Sequence, residues 1–557
     1  MAEREDEIVD DVLREFSGLQ TYRNTFAGMW EETAELIAPD YRNTFFFGAY
    51  NFPGQKKTER QIDTKATLAL SRFGAILDSM LTPQNAMWHN LAADDENLMK
   101  QRAVKLYFEA VNRVLFKYRY KTTANFVSQN QGVFQQLGAF GNGIMYIDAY
   151  QGNDGGRGLR YRNNPLGEMF FRQNHQGQVD AYIRWFRYTR RQAILEYGEA
   201  ALPETIVAAT DSEVLYDFVQ RVRPNPNRDP RRLDAKGKRW VSEHVALTGR
   251  KLVRESGYNT FPCAITRYTQ INGQEVYGRG PAQQALPTMK TSNSAMQDYL
   301  TQSHRAIAPP LLTADDGIVD FSFRPGALNK GGVGKDGRPL VIPLQGGNIQ
   351  ISEELLDKMG QTIDAFFLVD LFKILLDDPK IYSATQVVEM MSQRGVLLAP
   401  TIGRQQSEYL GSVIPREIDL LTQLRLLPQM PPVLKEAGGE YKIVYTSPLA
   451  RSMRASDIAG LNRSLERATQ VATATGDPSP LWHFDWTTII PEAADIDGVP
   501  AHWLASDEAV AAKAKAHQDM MAKQQQIQVA PAQAAIMKAQ AAQQKAGVPQ
   551  AAQGQGQ

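Results

Sequence analysis

The sequence predicts an α+β protein that is predominantly helical. Apolar residues recur at helical spacing along most of the chain, as in Ile8, Val12, Phe16 and Leu19. Short alternating apolar runs separated by Gly and Asn cluster between residues 143 and 269, where they indicate strands and turns. With 557 residues, 43% of them apolar and 22% charged, the chain has a globular composition and room for roughly two to four domains.

The N-terminal part predicts helices separated by short breaks. Pro39 and Thr82-Pro83 end two of them, because proline cannot continue a helix. The apolar residues recur by three or four, which places them on one face of each helix. The predicted helices are residues 1–38 (with a second stretch from Phe26 to Ile37), Asp63–Leu81, Leu98–Tyr118 and Asn125–Gly138.

The middle of the chain mixes strands with two short helices. Alternation of apolar and polar residues indicates the strands, and spacing by three or four indicates the helices. The predicted strands are Gly143–Tyr150, Leu159–Arg162, Val179–Tyr188, Trp240–Leu247 and Phe261–Thr269, and the predicted helices are Thr189–Gly198 and Asp211–Arg221. Residues 1–275 are therefore expected to form a mixed α+β body.

A basic, proline-containing loop is predicted at Arg223–Lys238. Such a cluster of cations can contact phosphate, but an exposed, solvated loop explains the same residues. The sequence leaves both interpretations open.

Two long helices joined by a glycine-rich excursion follow the body. The first is predicted at Pro281–Ala308, with Pro287 marking the start of its regular part and Pro309-Pro310 its end. The excursion, Leu311–Gln350, is polar and rich in Gly and Pro. The second helix is predicted at Ser352–Leu376, a length of about 37 Å at about 1.5 Å per residue.

Each of these two helices carries only a narrow apolar stripe, so each is expected to pack on few neighbours. That pattern favours a helical hairpin or a ring of repeated subunits in which neighbours cover the remaining faces. The stripes are Ala285, Met289, Ser292, Met296, Tyr299, Ser303 and Ile307 in the first helix, and Leu355, Met359, Ile363, Phe366, Phe367 and Leu371 in the second.

The C-terminal third is again helical. A helix is predicted from Ser383 through Met391, where Ser383 and Gln386 have capping-box spacing. After a break at Gly395–Pro400, the helix is expected to resume over Thr401–Leu426 with a kink at Pro415. A strand at Tyr441–Ser447, a helix at Ala450–Ala474 and a helix from Ser506 follow, and the Ala/Gln-rich tail from residue 509 is expected to be helical and then disordered.

The charge balance and the single cysteine exclude several classes of protein. Lys+Arg and Asp+Glu are 61 each, so the chain lacks the basic excess typical of a dedicated nucleic-acid binder. Cys263 alone cannot form an intramolecular disulfide and suits a reducing cytoplasm. We expect no signal peptide, because Met1–Glu15 is acidic and polar, and no membrane span, because no apolar run of about 18 residues is present.

No catalytic motif is found. The Walker A pattern fails at Gly334-Lys335, since Asp336 follows the lysine and Asn329 stands where the first glycine is required. The seven histidines form no His-x-x-x-His pair, and one cysteine cannot build a multi-thiolate metal site. We therefore expect no catalytic residue, no metal and no cofactor. The paired carboxylates Asp315-Asp316 and Asp377-Asp378 fit helix boundaries, with an unrecognised acidic hydrolase site as the alternative.

Two groups of charged residues are candidate functional surfaces. Cations of the excursion have acidic neighbours in Asp315, Asp316, Asp320 and Asp336, so a partner-binding surface and a solvated loop are equally supported. The second long helix ends at Asp377-Asp378-Pro379, which we call the second break. Lys373 and Lys380 flank it, and it is either a plain helix end or a segment facing a DNA channel. The excursion candidates are Arg324, Lys330, Lys335, Asp336 and Arg338, and the candidates at the second break are Lys373, Asp377, Asp378, Lys380, Ile381 and Tyr382.

Eight short motifs, in order along the chain, resemble the head-to-tail connector, or portal, family of short-tailed double-stranded DNA phages. No single motif is specific, but their order is, and the resemblance covers about residues 20–510. The motifs are Asp63-Thr64-Lys65-Ala66 with Leu81-Thr82-Pro83 and Trp88; Phe140-Gly141-Asn142-Gly143; Asn164-Pro165-Leu166-Gly167-Glu168; Tyr277-Gly278-Arg279-Gly280-Pro281 with Ala285-Leu286-Pro287; Pro309-Pro310-Leu311; Phe366-Phe367 with Asp370-Leu371-Phe372; Ser383-Ala384-Thr385-Gln386-Val387; and Tyr445-Thr446-Ser447-Pro448-Leu449-Ala450.

The resemblance implies a portal-type subunit that assembles with about eleven copies of itself into a ring at one capsid vertex. Double-stranded DNA would pass through the axial channel during packaging and ejection. The implied parts are a wing (1–275), a first stem helix (276–310), a clip (311–350), a second stem helix (351–376), a tunnel loop (377–382), a long wing helix (383–432), a helical crown (433–508) and the C-terminal tail (509–557).

The same resemblance implies partners and a location. The clip would dock the terminase large subunit and later the tail adaptor and nozzle proteins, and the ring would contact scaffolding and major capsid protein. The protein would be a late product assembled in the host cytoplasm into the virion, with no membrane contact and no enzymatic activity, since the packaging motor is a separate protein. The alternatives are another tail or internal core protein of a virion and, less favoured, an acidic-site hydrolase.

Overall fold

The computed structural model of the chain describes most of the residues outside the second break and the tail. The described residues are 2–47, 54–99, 101–152, 155–211, 213–232, 234–313, 322, 324, 326–330, 332–344, 349–370, 399–446, 448–497, 503, 505, 509–521 and 536–538. The fold mixes helices with four small sheets, which confirms the α+β class.

Nine α-helices precede residue 371 in the described part of the chain. Their bounds are α1 Ala2–Ile37, α2 Lys65–Leu81, α3 Glu96–Met99, α4 Arg102–Arg119, α5 Phe126–Phe140, α6 Arg190–Tyr197, α7 Glu204–Val207, α8 Pro281–Ile307 and α9 Ile349–Phe366. Later helical segments are residues 399–404, a π-turn at Gln405–Leu410, Gly411–Gln423, Pro432–Glu436, Pro448–Thr475, Trp486–Asp497 and residues 509–521.

The strands pair antiparallel in every sheet that the structure describes. The largest sheet has the order β4-β5-β6-β7-β8, a second has the order β3-β2-β9, and β1-β12 and β10-β11 are two-stranded. The bounds are β1 His89–Ala93, β2 Asn142–Gln151, β3 Arg157–Asn163, β4 Met169–Gln173, β5 Val179–Thr189, β6 Leu215–Pro224, β7 Trp240–Ala246, β8 Lys251–Tyr258, β9 Cys263–Arg267, β10 Leu311–Thr313, β11 Val341–Pro343 and β12 Tyr441–Tyr445.

The five-stranded sheet is covered on both faces, and this explains one wrong prediction. The predicted helix Asp211–Arg221 is instead the turn into strand β6, in which Phe218 through Val222 are all buried. On one face Val219 packs with Phe16 of α1, and on the other Phe218 packs with Ala193 of α6. A central strand with two covered faces shows no alternation, so its apolar spacing resembles that of a helix.

The largest core lies between the N-terminal helices, the β3-β2-β9 sheet and the helical segment 399–423. Trp30 and Trp88 are fully buried there, as are Phe73, Phe134 and Tyr409. Helix α1 is one continuous helix, not two stretches. Strands β1, β4, β8, β10 and β11 were not predicted, and the last two form a hairpin in the excursion that was expected to be loop-like.

Two of the glycine motifs meet in this core. Gly141, at the end of α5, has a φ of +74°, and a Cβ there would lie 2.5 Å from the backbone oxygen of Gly278 and from the nitrogen of Gly280. The Asn142 side chain donates to the Gly278 carbonyl (3.3 Å) and accepts from the Gly278 amide (2.9 Å). The close approach fixes where α8 begins, and only glycine at position 141 permits it.

The helix 399–423 differs from its prediction in two ways. Residues 399 and 400 are already helical, so the predicted break does not include them. Pro415 lies inside the regular helix Gly411–Gln423, and the irregularity is the π-turn Gln405–Leu410 that precedes it. The segment 383–398 lies outside the described residues. Among the helices that are described, none is long and apolar enough to cross a bilayer.

Candidate functional site

Helices α8 and α9 form an antiparallel pair that is buried at one end and exposed at the other. Along α8 the burial of the predicted stripe decreases: Ala285 and Met289 are buried, Tyr299 is half-buried and Ile307 is 83% exposed. In α9 the gradient runs the other way, from the exposed Leu355 to the buried Ile363. The pair therefore projects from the body, and a single chain covers only its base.

Polar contacts hold this base against the segment before α2. The Asn293 side chain accepts from the amides of Ile62 and Asp63 (2.8 and 3.0 Å) and donates to the Arg60 carbonyl (3.0 Å). On α9, Asp364 is 1% exposed and pairs with Lys65 of α2 at 2.9 Å. Both helices are thus fastened to residues 60–65, the stretch that leads into α2.

The second helix ends earlier than predicted. Helix α9 stops at Phe366, and Leu368 has a φ of +59°, a left-handed conformation in which an L residue cannot continue a helix. Phe367 and Val369 on either side are buried, and the Phe367 ring lies 6.1 Å from that of Phe73. The turn is therefore anchored in the core. The remaining predicted helix, residues 371–376, lies outside the described residues.

The candidates at the second break lie outside the described residues as well. Lys373, Asp377, Asp378, Lys380, Ile381 and Tyr382 fall in the segment 371–398, between the anchored turn at Leu368 and the helix that is present at residue 399.

The exposed end of the helical pair carries the short hairpin β10-β11. Its apolar side chains face solvent in the single chain: Leu312, Leu340, Ile342 and Leu344 are all exposed. Contiguous exposed apolar residues of this kind mark surfaces that a partner covers.

The candidate residues of the excursion lie on this same end. Arg324, Lys330, Lys335, Asp336 and Arg338 are all exposed. Asp336 and Arg338 form an ion pair of 3.7 Å across the turn that Gly337 closes with a φ of +77°. Asp315, Asp316 and Asp320, the expected partners of the other cations, lie outside the described residues. The structure thus places cations and exposed apolar residues side by side.

The helical segment 399–423 is docked in the body by polar side chains. At its π-turn, Gln405 bonds the Thr266 hydroxyl (2.8 Å), and Glu408 accepts from the backbone amide of Arg267 (2.9 Å) as well as from the Arg267 guanidinium. These side chains occupy the edge of strand β9, where another strand would otherwise pair.

About two turns further along, Glu417 enters a fully buried network. It pairs with Arg119 of α4 and accepts from the Tyr161 hydroxyl at 2.6 Å, while Arg119 also contacts His89 Nε2 at 2.9 Å. Burial lowers the pKa of Arg119, but the Glu417 carboxylate outweighs burial and the net pKa is raised. Burial and then Arg119 hold the pKa of His89 well below its usual value. The network therefore consists of a neutral His89 beside the Arg119–Glu417 ion pair. All three side chains are fully buried, so no substrate could reach them.

No catalytic arrangement emerges among the described residues. There, no group of three His, Cys, Asp or Glu side chains is placed to hold a metal ion. Cys263 is buried, and desolvation raises its pKa to about 12, so its thiol stays protonated.

The sequence predicted two long helices and named the cations of the excursion as candidates, but it did not indicate the contacts that fasten the helices to the body. Asp63 and Lys65 belong to a motif noted above, yet nothing in their spacing indicated Asn293 or Asp364 as partners. The only available signal was polar: Asn293 and Asp364 each lie next to the apolar stripe of their helix.

Comparison with known proteins supplies the family. The profile of a family described as "Bacteriophage head to tail connecting protein" matches residues 9–504. The chain is 26% identical over 510 residues to the "Portal protein" of Salmonella phage epsilon15, covering 90% of this chain and 88% of that protein. It is 24% identical over 529 residues to the "Probable portal protein" of Bordetella phage BPP-1, covering 92% of each.

Proposed function

The chain belongs to the bacteriophage head-to-tail connecting protein family, and we propose that it is the portal subunit of a short-tailed phage. Members of this family are structural connectors and not enzymes. In this proposal about twelve copies form a ring at one capsid vertex, and double-stranded DNA passes through its axis during packaging and ejection.

The main support for a ring is the helical pair formed by α8 and α9. In α8 and α9 the stripe is buried only at the base, while Tyr299, Ile307 and Leu355 farther out are covered partly or not at all. Apolar residues along a projecting pair need a second surface, and a neighbouring copy of the same pair supplies one in every subunit of a closed ring.

The parts are assigned by their positions. We assign residues 1–275 to the wing, 276–310 and 351–376 to the two stem helices, 311–350 to the clip, 383–432 to the long wing helix, 433–508 to the crown and 509–557 to a C-terminal tail. The clip assignment is supported by the exposed leucines and cations at the free end of the pair, which suit docking of the terminase large subunit and later the tail adaptor and nozzle.

The tunnel-loop assignment, residues 377–382, is supported by chain position. The turn at Leu368 and the helix from residue 399 are both anchored in the core, so the segment between them starts and ends at the body, near the base of the stem. Lys373, Asp377, Asp378, Lys380, Ile381 and Tyr382 are the residues proposed to face DNA. A chain with equal numbers of cations and anions suits a conduit, because strong phosphate binding would hold the DNA in place.

The ring is tested by particle mass and shape. Purified full-length protein should give particles of about 750 kDa, on the order of twelve chains of 62.2 kDa, with a central hole in negative-stain images. A stable monomer with metal-dependent nuclease activity that is lost on Asp377→Asn or Asp378→Asn would overturn the proposal. Images that place the protein away from the capsid vertex would favour a tail or core protein instead.

A further inference from the structure

Two segments of opposite charge border the five-stranded sheet. The loop from Arg223 to Arg239, which joins β6 to β7, contains seven cationic and two anionic residues. The first turns of α1, residues 2–15, contain seven anionic and two cationic residues. We call these the basic loop and the acidic helix end. In a chain with no net charge, such separation leaves two strongly charged surfaces.

The basic loop is held in shape by its own hydrogen bonds. The Asn225 side chain donates to the carbonyls of Lys236 and Lys238 (3.1 and 3.0 Å), and the Asp229 amide donates to the Lys236 carbonyl (3.0 Å). Arg232 is neutralised locally by Asp234. The cations that are exposed and form no ion pair with any described residue are Arg228, Arg231, Lys236 and Arg239.

The acidic helix end reaches one edge of the sheet. Glu15 of α1 pairs with Arg172 on the edge strand β4, and Arg4 pairs with Glu255 on the opposite edge strand β8. The helix therefore crosses the whole sheet, and its first turn lies at the β8 edge. The anions there that are exposed and have no ion pair within the described part of the chain are Glu3, Glu5, Asp6 and Glu7.

The exposed charges of the two surfaces are not paired with one another in the single chain; farther along α1, Arg221 and, less strongly, Arg223 lower the pKa of Asp11. None of the ion pairs between described residues joins residues 2–15 to residues 223–239. The basic loop lies where β6 ends and β7 begins, whereas the unpaired anions of the first turns of α1, Glu3, Glu5, Asp6 and Glu7, lie at the β8 edge. A closed ring of identical copies needs two different, complementary surfaces on each copy.

We propose that the basic loop of one copy docks against the acidic helix end of the next copy. This inference rests on the proposed ring. A second copy is favoured as the partner because it carries the matching number of opposite charges, and each contact leaves one loop and one helix end free to continue the ring. A DNA backbone would match the loop but would leave the acidic helix end without a partner.

Two charge-reversal variants test the contact. The first carries Arg228→Glu, Arg231→Glu and Lys236→Glu, and the second carries Glu3→Lys, Glu5→Lys and Glu7→Lys. Each should fold normally by circular dichroism, because the residues are exposed. For each variant alone, the protein concentration at which half of the chains are in rings should rise by about tenfold or more. A 1:1 mixture should recover rings, since each interface then joins opposite charges again.

Mass photometry of the full chain measures the fraction of chains in rings for each variant and for the mixture. The control is Glu466→Lys with Arg467→Glu, at two exposed positions of the helix Pro448–Thr475, which should form rings as the wild type does. Variants that form rings normally, or a mixture that recovers none, would overturn the contact while leaving the ring itself intact. Unchanged rings with lost binding to a short DNA duplex would assign the loop to DNA instead. Wild-type protein that forms no ring would refute the proposed function as well.

Discussion

Arg119 and Glu417 lie 298 positions apart in the sequence and form an ion pair in which neither side chain is exposed. Arg119 also stacks over Trp88, with its guanidinium carbon 4.4 Å from the ring. The pair joins α4 to the helical segment 399–423. The chain that re-enters the body after the proposed DNA-facing segment is therefore fixed in the core and not on the surface.

Replacing Glu417 by Gln should lower the free energy of unfolding by about 3–5 kcal/mol, because it leaves the Arg119 cation buried without its counter-charge. Urea denaturation of the full chain at pH 7 measures the change. The triple variant Arg119→Met/Glu417→Leu/Tyr161→Phe should recover most of the loss, since apolar residues of similar volume need no counter-charge and phenylalanine removes the hydroxyl that donates to Glu417. A triple variant as unstable as Glu417→Gln would contradict this account.

Lys65→Ala should destabilise the base of the helical pair by about 1.5–3 kcal/mol, because the carboxylate of the buried Asp364 loses a charge-assisted hydrogen bond. The matched control is Lys290→Ala, whose ion pair with Glu32 is roughly half exposed on both sides. That control should change stability by less than about 0.5 kcal/mol. Thermal unfolding compares the two, and equal losses would show that burial of Asp364 is irrelevant.

Gly141→Ala should be among the most damaging small substitutions, at about 3 kcal/mol or more. The new methyl group would meet backbone atoms of Gly278 and Gly280 at 2.5 Å, and the φ of +74° disfavours any L residue. Gly28→Ala, on the exposed side of α1 with nothing within 4 Å, should instead stabilise the protein by about 0.5–1 kcal/mol. The denaturation midpoint should therefore fall for Gly141→Ala and rise for Gly28→Ala.

Acid should destabilise the body through His244. Burial lowers its pKa to about 3 in the folded chain, with smaller effects of Arg254 and Arg184. In the unfolded chain its pKa is about 6.5, so only the unfolded state gains this proton as the pH falls from about 6.5 towards 3. Stability is therefore lost across that window by up to about 1.4 kcal/mol per pH unit.

A histidine replacement checks the pH effect. His244→Gln should lose less stability than the wild type between pH 7 and pH 5 in urea denaturation, because glutamine does not titrate. The control is His175→Gln at an exposed histidine, which should keep the wild-type pH dependence. If the His244 variant follows the wild-type curve, another group controls acid sensitivity.

The proposed clip should lose partner binding without losing its fold. Lys335→Glu with Arg338→Glu reverses two exposed cations at the end of the helical pair, so rings should form as in the wild type and the free energy of unfolding should change by less than about 0.5 kcal/mol. Binding of the phage's terminase large subunit, measured by biolayer interferometry, should weaken by about tenfold or more. Lys513→Glu with Lys515→Glu on the helix 509–521 should leave that binding unchanged.

Local signals in the sequence were sufficient for the helical pair. Helix α8 was predicted at Pro281–Ala308 and is Pro281–Ile307, because Gly280-Pro281 begins it and Pro309-Pro310 prevents its continuation. The decrease in burial along the stripe, from Ala285 to Ile307, is a finding of the structure that the stripe itself did not indicate. The C-terminal end of α9 was misplaced, since Phe366, Phe367 and Val369 continue an apolar pattern that the left-handed Leu368 interrupts without any glycine or proline to announce it.

What the sequence determined by itself is therefore local or ordered along the chain: helix periodicity, breaks at proline and glycine, the charge balance, and the series of motifs that indicates the family. The periodicity and the breaks act within one or two turns, and the charge balance and the motif order do not depend on packing at all. The tertiary structure alone decided that residues 215–224 are a strand, that β1 pairs with β12, and that Arg119 meets Glu417 and Lys65 meets Asp364. These depend on which distant surfaces come together, a choice made by burial of the whole core and not by the spacing of any segment.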